Sequence, residues 1–452
     1  MPTTAYTDLR SLLADLGDDL LTVAAELDPR HEIAALLAAS QHDGRVVLCT
    51  HVKGYPGARV VGNLMASRRV LARALGTTEA GLAATYMASK EQSRPTVAYR
   101  GPAPVKEVVH RAPEEVAALL PVLTHHAADG GAFITSGLVI ARDPDSGRRA
   151  MGIHRMMLQG GNRLGVFLAN PPLSLYHANA ERRGEPLEVA VALGVEPATL
   201  LAAVVKLGAV GPDKLEIAGG LRGRPLELVA GETVDVELPA HAEIVIEGRV
   251  LPGVRADEGP FGENTGYYFS NSSPVIEVSA ITHRRDFIYP ALCPWTLDVD
   301  NLLSLAAGTE LLWQLHGQMH GIVDLELVTG TCGFTAVVAV RDLKPVEVRR
   351  VIMLALSLDK RLKLVTVVDD EVDIRNQREV AWALATRCQP DRDTVVYGGT
   401  EAYVIDPSAA ASGRGSKIGI DATRGRGPEF DRIAFPTAAR ERAAAVLAGL
   451  AR

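Results

Sequence analysis

The sequence predicts a mixed α/β (α+β) fold, in which two regions of alternating strands and helices flank a β-rich centre. The chain has 452 residues, which at about 100–200 residues per domain indicates two to four domains. Short β-type apolar runs separated by Gly, Pro and Asp fill the middle, whereas apolar residues at helical spacing dominate both ends. These observations predict domains at 1–104, 105–300 and 301–452.

The first predicted domain is an α/β unit. Leucines recur at three- and four-residue spacing from Leu9 onward, and the apolar pattern continues to the Asp28-Pro29 break. This spacing predicts a helix over residues 5–28. In chain order, the other predicted elements of the unit are a helix over 32–39, a strand over 45–51 and a helix over 63–75.

The middle domain is predicted to be β-rich and barrel-like. A single helix over 197–207 interrupts it, and Pro197 at its start is typical of a first helical turn. The predicted strands of this domain cover 137–141, 164–168, 187–193, 234–238, 243–247, 275–279 and 285–289.

The third domain returns to an α/β pattern. A long amphipathic helix is predicted over 302–320, and the Ala-rich tail predicts a helix over 437–450 that favours self-association. Between them the sequence predicts strands over 324–328, 334–340 and 362–368, with a helix over 345–358.

Composition excludes several function classes. The net charge is −7, and no Lys/Arg-rich run with interleaved aromatic residues is present, so nucleic acid is not an expected partner. The longest apolar stretches are far shorter than the roughly 20 residues of a membrane helix, and no signal peptide is visible. The four cysteines are widely scattered, which favours reduced structural thiols. A cytoplasmic enzyme that acts on a small molecule is the resulting expectation.

One segment, DEGPFGENTGYY over residues 257–268, carries the candidate chemistry. Glu258 and Glu263 are five residues apart, and the Gly and Pro residues around them disfavour a helix, so a tight loop is predicted to turn both carboxylates toward one point. Two adjacent carboxylates cannot both ionise cheaply, so one would keep a proton to donate while the other orients a partner. The alternative is a Gly-rich hairpin turn with solvated acids.

The pattern EGPFGE-x-TGYY closely resembles the signature of the UbiD-like decarboxylases, which use prenylated FMN. The resemblance extends over most of the chain. Further segments that resemble the same family are 63–65, 137–144, 152–155, 218–223, 239–248, 281–284, 369–374, 382–387 and 420–423.

The resemblance implies a fold and an activity. The fold is a central split β-barrel that binds the flavin, followed by a C-terminal α/β oligomerisation domain. The activity is the reversible, non-oxidative decarboxylation of an aromatic, heteroaromatic or α,β-unsaturated acid. The implied partners are a flavin prenyltransferase that supplies the cofactor and further copies of this chain, in a homodimer or larger assembly.

The resemblance also implies site residues. The family's catalytic trio matches Arg155, Glu258 and Glu263, and a structural Arg155–Glu258 ion pair is the alternative reading of two of them. The flavin contacts that it implies are Ile153, His154, Arg155, Glu216 and Lys417.

The family places a divalent metal, Mn or Mg, and sometimes K, beside the cofactor phosphate. Its ligands are an Asn, a His and a Glu. Glu216 matches the Glu and His177 is assigned as the His, but Ala150 stands at the Asn position. This departure leaves open a divergent paralogue with weak or altered cofactor and metal binding. A scaffold with a vestigial site is a further alternative, against which the intact trio argues.

Overall fold

The computed structural model describes residues 6–206, 213–409, 413–424 and 432–450, without the side chains of 448 and 450. The N-terminal region combines helices with a parallel and antiparallel sheet. Its elements are α1 (Leu9–Asp15), β1 (Leu20–Leu27), α2 (Glu32–Ser40), β2 (Val46–Val52), β3 (Arg59–Gly62), α3 (Arg68–Ala74) and α4 (Leu82–Glu91).

Two predictions for this region are corrected. The predicted helix over 5–28 is wrong beyond Asp15, because the following apolar residues form β1, which pairs in parallel with β2 from Leu20 opposite Val46. The helix predicted over 63–75 begins only at α3, whose cap is the Ser67 hydroxyl. Asn63 has a φ of 59° and lies outside any helix. Helix α2 and strand β2 are confirmed.

The middle region contains the strands that position the site. Its elements are β4 (Val97–Ala98), β5 (Val108–Arg111), β6 (Phe133–Ile134), β7 (Leu138–Arg142), β8 (Arg149–Ile153), β9 (Met156–Leu158), β10 (Arg163–Val166), α5 (Leu173–Arg183), β11 (Leu187–Leu193), α6 (Pro197–Ala203), α7 (Lys214–Arg222), β12 (Glu227–Ala230), β13 (Glu237–Pro239), β14 (Ile244–Gly262), β15 (Tyr268–His283) and β16 (Ile288–Pro290).

A nine-stranded sheet organises this region. Its order is β6-β9-β10-β15-β14-β11-β7-β8, with β5 paired to β15. No pairing within the described chain joins β6 to β8, so the predicted barrel is an open, split sheet. Strand β16 is not part of this nine-stranded sheet. It pairs in parallel with β3, so the N-terminal four-stranded sheet contains a strand from the predicted middle domain.

The prediction of one interrupting helix is wrong, because three helices occur between β10 and β12. Helix α6 ends at Ala203, and residue 207, where the predicted helix ends, lies outside the described residues. Helix α7 contains Gly219 and Gly220, which favour a turn by sequence. A side chain on Gly220 would lie 2.2 Å from the Ser89 carbonyl oxygen, so glycine here allows α7 to pack closely on α4.

The C-terminal region is a second α/β layer. Its elements are α8 (Leu297–Leu303), α9 (Thr309–His316), β17 (Ile322–Leu327), β18 (Thr335–Val340), α10 (Pro345–Leu358), β19 (Leu364–Asp369), α11 (Gln377–Arg387), α12 (Pro390–Asp393), β20 (Thr394–Glu401), β21 (Arg414–Asp421) and α13 (Thr437–Leu450).

The predicted helix over 302–320 is a continuous helical segment from α8 to α9, joined by a π-helical turn over Ser304–Gly308, and it ends at His316. The five-stranded sheet has the order β17-β18-β19-β21-β20, and helix α10 is confirmed. All four cysteines are free, as predicted. Within the described residues, no helix has the length and hydropathy needed to span a membrane.

Candidate active site

The two candidate acids lie on the longest hairpin of the molecule, β14–β15. The tight loop predicted over 257–268 is corrected: Glu258 lies within β14, opposite Asn271, and only residues 263–267 form the turn. Three positions separate Glu258 from Phe261, whereas their partners, Asn271 and Phe269, are two apart. This extra residue is a β-bulge, which resets the alternation of side chains between the two faces.

Arg155 joins both acids in one buried cluster. Its Nε donates to Glu258 Oε1 at 2.7 Å and its Nη2 donates to Oε2 at 3.0 Å, a bidentate pair. Its Nη1 contacts Glu263 Oε1. Glu258 is 0% exposed and Glu263 8% exposed, so the alternative of solvated acids is wrong. Arg155 therefore meets Glu258 and Glu263, although it lies 103 residues before Glu258 in the chain.

Two aromatic rings hold the guanidinium in place. The Arg155 Cζ lies 4.5 Å from the centre of the Phe167 ring and 4.8 Å from that of Phe261. Cations are attracted to ring faces at this distance, most strongly where water is excluded. Neither ring was identified from the sequence. Phe261 could have been, because it lies within the EGPFGE pattern.

Asp129 is a further residue that the sequence pattern did not identify. Its Oδ1 accepts a hydrogen bond from the Gly262 backbone N–H at 2.9 Å. Its Oδ2 accepts from the backbone N–H groups of His125 and His126 at 3.0 and 2.7 Å. The nearby Gly130 N–H donates to the Pro260 carbonyl at 2.7 Å. This segment therefore fastens the strand between the two acids.

The turn after β14 is itself closed. The Glu263 N–H donates to the Tyr267 carbonyl, and the Gly266 N–H donates to the Glu263 carbonyl, both at 2.9 Å. The Trp295 N–H donates to Asn264 Oδ1 at 3.0 Å, and a side chain on Gly266 would lie 3.4 Å from the indole ring. These contacts fix the backbone that carries Glu263.

His154 precedes Arg155 and is buried. Its Nδ1 lies 2.8 Å from the Phe167 carbonyl oxygen, which fixes the ring. Burial lowers the pKa of His154 to about 4, so its side chain is neutral at pH 7. The Phe167 N–H donates to the Arg155 carbonyl at 3.1 Å, so these two segments support each other.

The residues predicted for the phosphate end of the flavin surround strand β8. Ile153 ends this strand, and helices α5 and α7, which carry His177 and Glu216, both pack against it. His177 is buried and its Nε2 has no hydrogen-bond partner among the described residues. A buried nitrogen without a partner fits an additional polar group, so these residues fit the phosphate end of a flavin.

A three-ligand metal site does not fit these residues. Ala150 is buried in β8 opposite Ala141, and its methyl group offers no ligand atom. Only His177 and Glu216 remain from the predicted set. Mn²⁺ and Mg²⁺ are held by several oxygen or nitrogen ligands, and two side chains fall short of the predicted three.

Lys417 lies apart from this group, on β21 of the C-terminal sheet. Its Nζ donates to the carbonyl oxygens of Leu362 at 2.6 Å and Lys360 at 3.1 Å. Burial lowers the pKa of Lys417. Within the described residues, no hydrogen bond or ion pair joins it to Arg155 or Glu216.

A cavity of about 400 Å³ opens beside the hairpin turn. Thr265, two residues after Glu263, forms part of one wall. The opposite wall comes from the C-terminal sheet and its loops, including Phe334, Lys363 and Asp406. A pocket of this volume is large enough for a small-molecule ligand.

Comparisons with known proteins agree with this architecture. Three family models match: the N-terminal domain over residues 15–89, the Rift-related domain over 97–296 and the C-terminal domain over 301–422, all of UbiD, 3-octaprenyl-4-hydroxybenzoate carboxy-lyase. The anhydromevalonate phosphate decarboxylase of Methanothermobacter thermautotrophicus is 33% identical over 421 residues, which cover 92% of this chain and 96% of that protein.

Solved structures give the same result. The UbiD-class enzyme HmfF from Pelotomaculum thermopropionicum, in complex with FMN, is 40% identical with a TM-score of 0.91, over 96% of this chain and 98% of that one. The 3,4-dihydroxybenzoic acid decarboxylase AroY of Klebsiella pneumoniae is 28% identical with a TM-score of 0.86, over 95% and 98%. The predicted fold class and enzyme class are thereby confirmed. The chain belongs to the UbiD family of carboxy-lyases.

Proposed function

We propose that this protein is a prenylated-FMN-dependent decarboxylase of an aromatic, heteroaromatic or α,β-unsaturated acid, in which Arg155, Glu258 and Glu263 form the acid/base trio. The observation that supports this most is the convergence of one guanidinium and two carboxylates in a buried cluster. The reaction is non-oxidative and reversible. Its substrate is a small carboxylic acid.

Loss of CO2 from an sp² carbon leaves an electron pair that no side chain in this cluster can accept. The bound flavin supplies that electron sink. Ile153, His154 and Arg155 at the end of β8 would hold it, with Glu216 and His177 toward its phosphate end. Lys417 remains a predicted phosphate contact that would require its present carbonyl partners to be exchanged.

Arg155 serves mainly to position the acids. Nε and Nη2 donate to Glu258, and Nη1 contacts Glu263, so the guanidinium is already engaged by both acids. A firm grip on the substrate carboxylate would stabilise the ground state and oppose the departure of CO2. Glu258, which receives two charge-assisted hydrogen bonds, is the acid held as a carboxylate.

Glu263 is the acid that moves the proton. One guanidinium cannot neutralise two buried carboxylates, and Glu258 already takes its two parallel donors. Retaining a proton on Glu263 therefore leaves the cluster neutral, which is the less costly state away from water. After CO2 leaves, Glu263 delivers this proton to the vacated carbon of the substrate.

The second candidate is a divergent paralogue with weak or altered cofactor and metal binding. Ala150 favours it, because one predicted metal ligand is missing. Loading the protein with prenylated FMN, with and without Mn²⁺, separates the two. Stoichiometric flavin with turnover supports the first candidate, and substoichiometric flavin supports the second.

We also propose that the working form is a homodimer or a larger assembly. Every side chain described in α13 is exposed, including Val446 and Leu447. An isolated 14-residue helix is only marginally stable in water. A second copy of the chain that packs against this helix would stabilise it, and sedimentation of the protein with and without residues 437–452 tests this.

The proposed activity is tested by co-production with a flavin prenyltransferase. We expect a coloured protein with a flavin absorbance band, and CO2 release from members of a panel of aromatic, heteroaromatic and α,β-unsaturated acids. A fully loaded protein that releases no CO2 from any of them would contradict the proposal.

A further inference from the structure

The cavity beside the hairpin turn lies close to the proposed proton donor. Thr265 in its wall and Glu263 belong to the same closed turn. Two residues of chain span at most about 7 Å. Thr265 and Glu263 are therefore close enough for one molecule of more than a single ring to span both.

The hairpin wall of the cavity offers an unused hydrogen-bonding group. The Thr265 hydroxyl is buried, and it has no hydrogen-bond partner among the described residues. A buried hydroxyl without a partner is costly, so such groups usually have a ligand or ordered water as their partner. The side chain of Thr265 is thus placed to bind a polar group of a ligand.

The opposite wall combines a neutral ion pair with apolar surface. Lys363 Nζ donates to Asp406 Oδ2 at 3.0 Å and Oδ1 at 3.2 Å, and it also contacts the Ser408 hydroxyl. Because Asp406 balances the charge of Lys363, this wall does not favour a second anionic group. Phe334 and Leu364 line the remaining surface and suit an apolar ring.

We propose that this cavity binds the distal part of the substrate, and that Thr265 makes the enzyme prefer acids longer than one ring with an uncharged hydrogen-bonding group at the far end. This inference rests on the proposed decarboxylase function and adds a substrate class to it. The volume of about 400 Å³ exceeds the need of a single-ring acid and falls within the usual 300–1,000 Å³ of ligand pockets.

Calorimetry on the full chain, without and with prenylated FMN, tests the proposal. The ligands are benzoate, biphenyl-4-carboxylate and 4′-hydroxybiphenyl-4-carboxylate. We expect the hydroxylated biphenyl to bind about five- to tenfold more tightly than the plain one, the contribution of one buried hydrogen bond. In Thr265→Val this preference disappears, whereas benzoate binds as before.

Thr400→Val is the matched control, since Thr400 lies on β20 outside the cavity and donates to the Gly415 carbonyl. We expect Thr400→Val to keep the preference for the hydroxylated biphenyl over the plain one. Thr331→Phe places a ring in the cavity wall and is expected to weaken both biphenyls while benzoate is retained. Equal affinity of the wild type for the two biphenyls, or a preference that survives Thr265→Val, would overturn the inference.

Turnover of the loaded enzyme separates this inference from the proposed function. Thr265-dependent binding without CO2 release from any acid would contradict the decarboxylase proposal and support the cavity assignment. CO2 release that shows no dependence of KM on the distal hydroxyl would support the decarboxylase and contradict the cavity assignment.

Discussion

The hairpin end and the β8 end of the candidate site are built differently. At the hairpin, Arg155 lies between two aromatic rings, makes a bidentate pair with Glu258 and contacts Glu263. Around β8, Ala150 stands where the family resemblance predicts a metal ligand, and His177 Nε2 has no partner among the described residues. The three groups at the hairpin thus contact one another in the protein alone, whereas the residues around β8 include a nitrogen that is available to a further polar group.

This difference has an energetic consequence. A buried acid–guanidinium cluster must be complete, because removing one partner leaves an uncompensated charge away from water. Around β8, the one unpartnered nitrogen of His177 destabilises the folded protein much less. We therefore expect loss of the Arg155–Glu258 pair to damage both folding and activity, and the unpartnered His177 nitrogen to matter mainly for cofactor affinity.

The largest expected effect is that of Arg155→Met. It leaves Glu258, which is fully buried, without its bidentate partner, and a loss of about 3–5 kcal/mol in the free energy of unfolding follows. Decarboxylation is lost as well. Urea denaturation and turnover of the loaded protein measure the two.

Arg284→Met is the control for that variant. Arg284 pairs with Asp8 and Glu243; in the variant Glu243 keeps Arg10, and Asp8 loses its ion pair but keeps the hydrogen bond from the Ser11 N–H. We expect a smaller loss of stability and preserved turnover. Equal stability losses in the two variants would remove the distinction between the Arg155 cluster and an ordinary ion pair.

Glu263→Gln is expected to lower kcat by about 10²–10⁴-fold, because the amide keeps the shape of the acid but cannot donate a carboxylic proton. Its stability should change little, since the amide can still accept from Arg155. Glu232→Gln, which alters a half-buried acid paired with Lys106, is the control. Loss of activity in both variants would contradict a specific role for Glu263.

The pKa of His154 predicts how the free energy of unfolding depends on pH. Burial lowers its pKa to about 4, whereas the unfolded side chain has a pKa near 6.5. Between these values the unfolded chain binds more protons, so stability is complete above pH 6.5 and falls as the pH drops to 4. His154 contributes about 3 kcal/mol to that fall.

His154→Gln should make the pH dependence less steep, as seen in urea midpoints at pH 4.5, 5.5 and 7. Part of the pH dependence of stability remains in this variant, because burial also lowers the pKa of His125, to about 3. The exposed His42→Gln is the control and should leave the curve unchanged. An unchanged slope in His154→Gln would show that this ring does not stay neutral in the fold.

The smallest expected effect concerns Ala150→Asn. Without metal, the new amide is buried without a partner and lowers stability by about 1–3 kcal/mol. With Mn²⁺, the restored ligand should raise Tm, because a metal that binds only the folded state stabilises it. Ala141→Asn, on the neighbouring strand, should lose stability without this rescue. If Mn²⁺ raised the Tm of the wild type as much as that of Ala150→Asn, this would contradict the claim that the wild-type metal site lacks a ligand.

The closeness of the two hairpin acids was predictable because a short pattern contains both acids and the bends between them. The sequence could not show the bulge after Glu258, since it depends on the register between β14 and β15. The Phe167 ring was equally hidden, because only the fold brings it to Arg155. Spacing therefore identified the acids, but not what holds them.

In the N-terminal region, the sequence pattern predicted the wrong secondary structure for β1. The apolar residues of β1 fit a helical pattern, yet parallel pairing with β2 makes them a strand. Local periodicity cannot decide between these states when a neighbouring strand provides the partner. In α7, glycines that indicate a turn by sequence instead allow close helix packing. Long, strongly patterned segments such as α10 were predicted reliably.

Proton delivery by Glu263 is the central claim, and deuterium incorporation tests it most directly. Flavin-loaded wild type and Glu263→Gln are allowed one turnover of an accepted acid in D2O, with CO2 and product analysed together. We expect wild type to place one deuterium on the vacated carbon per CO2 released, and Glu263→Gln with equal flavin to do so at least about a hundredfold more slowly. Deuterated product formed at the wild-type rate by the variant would contradict the account.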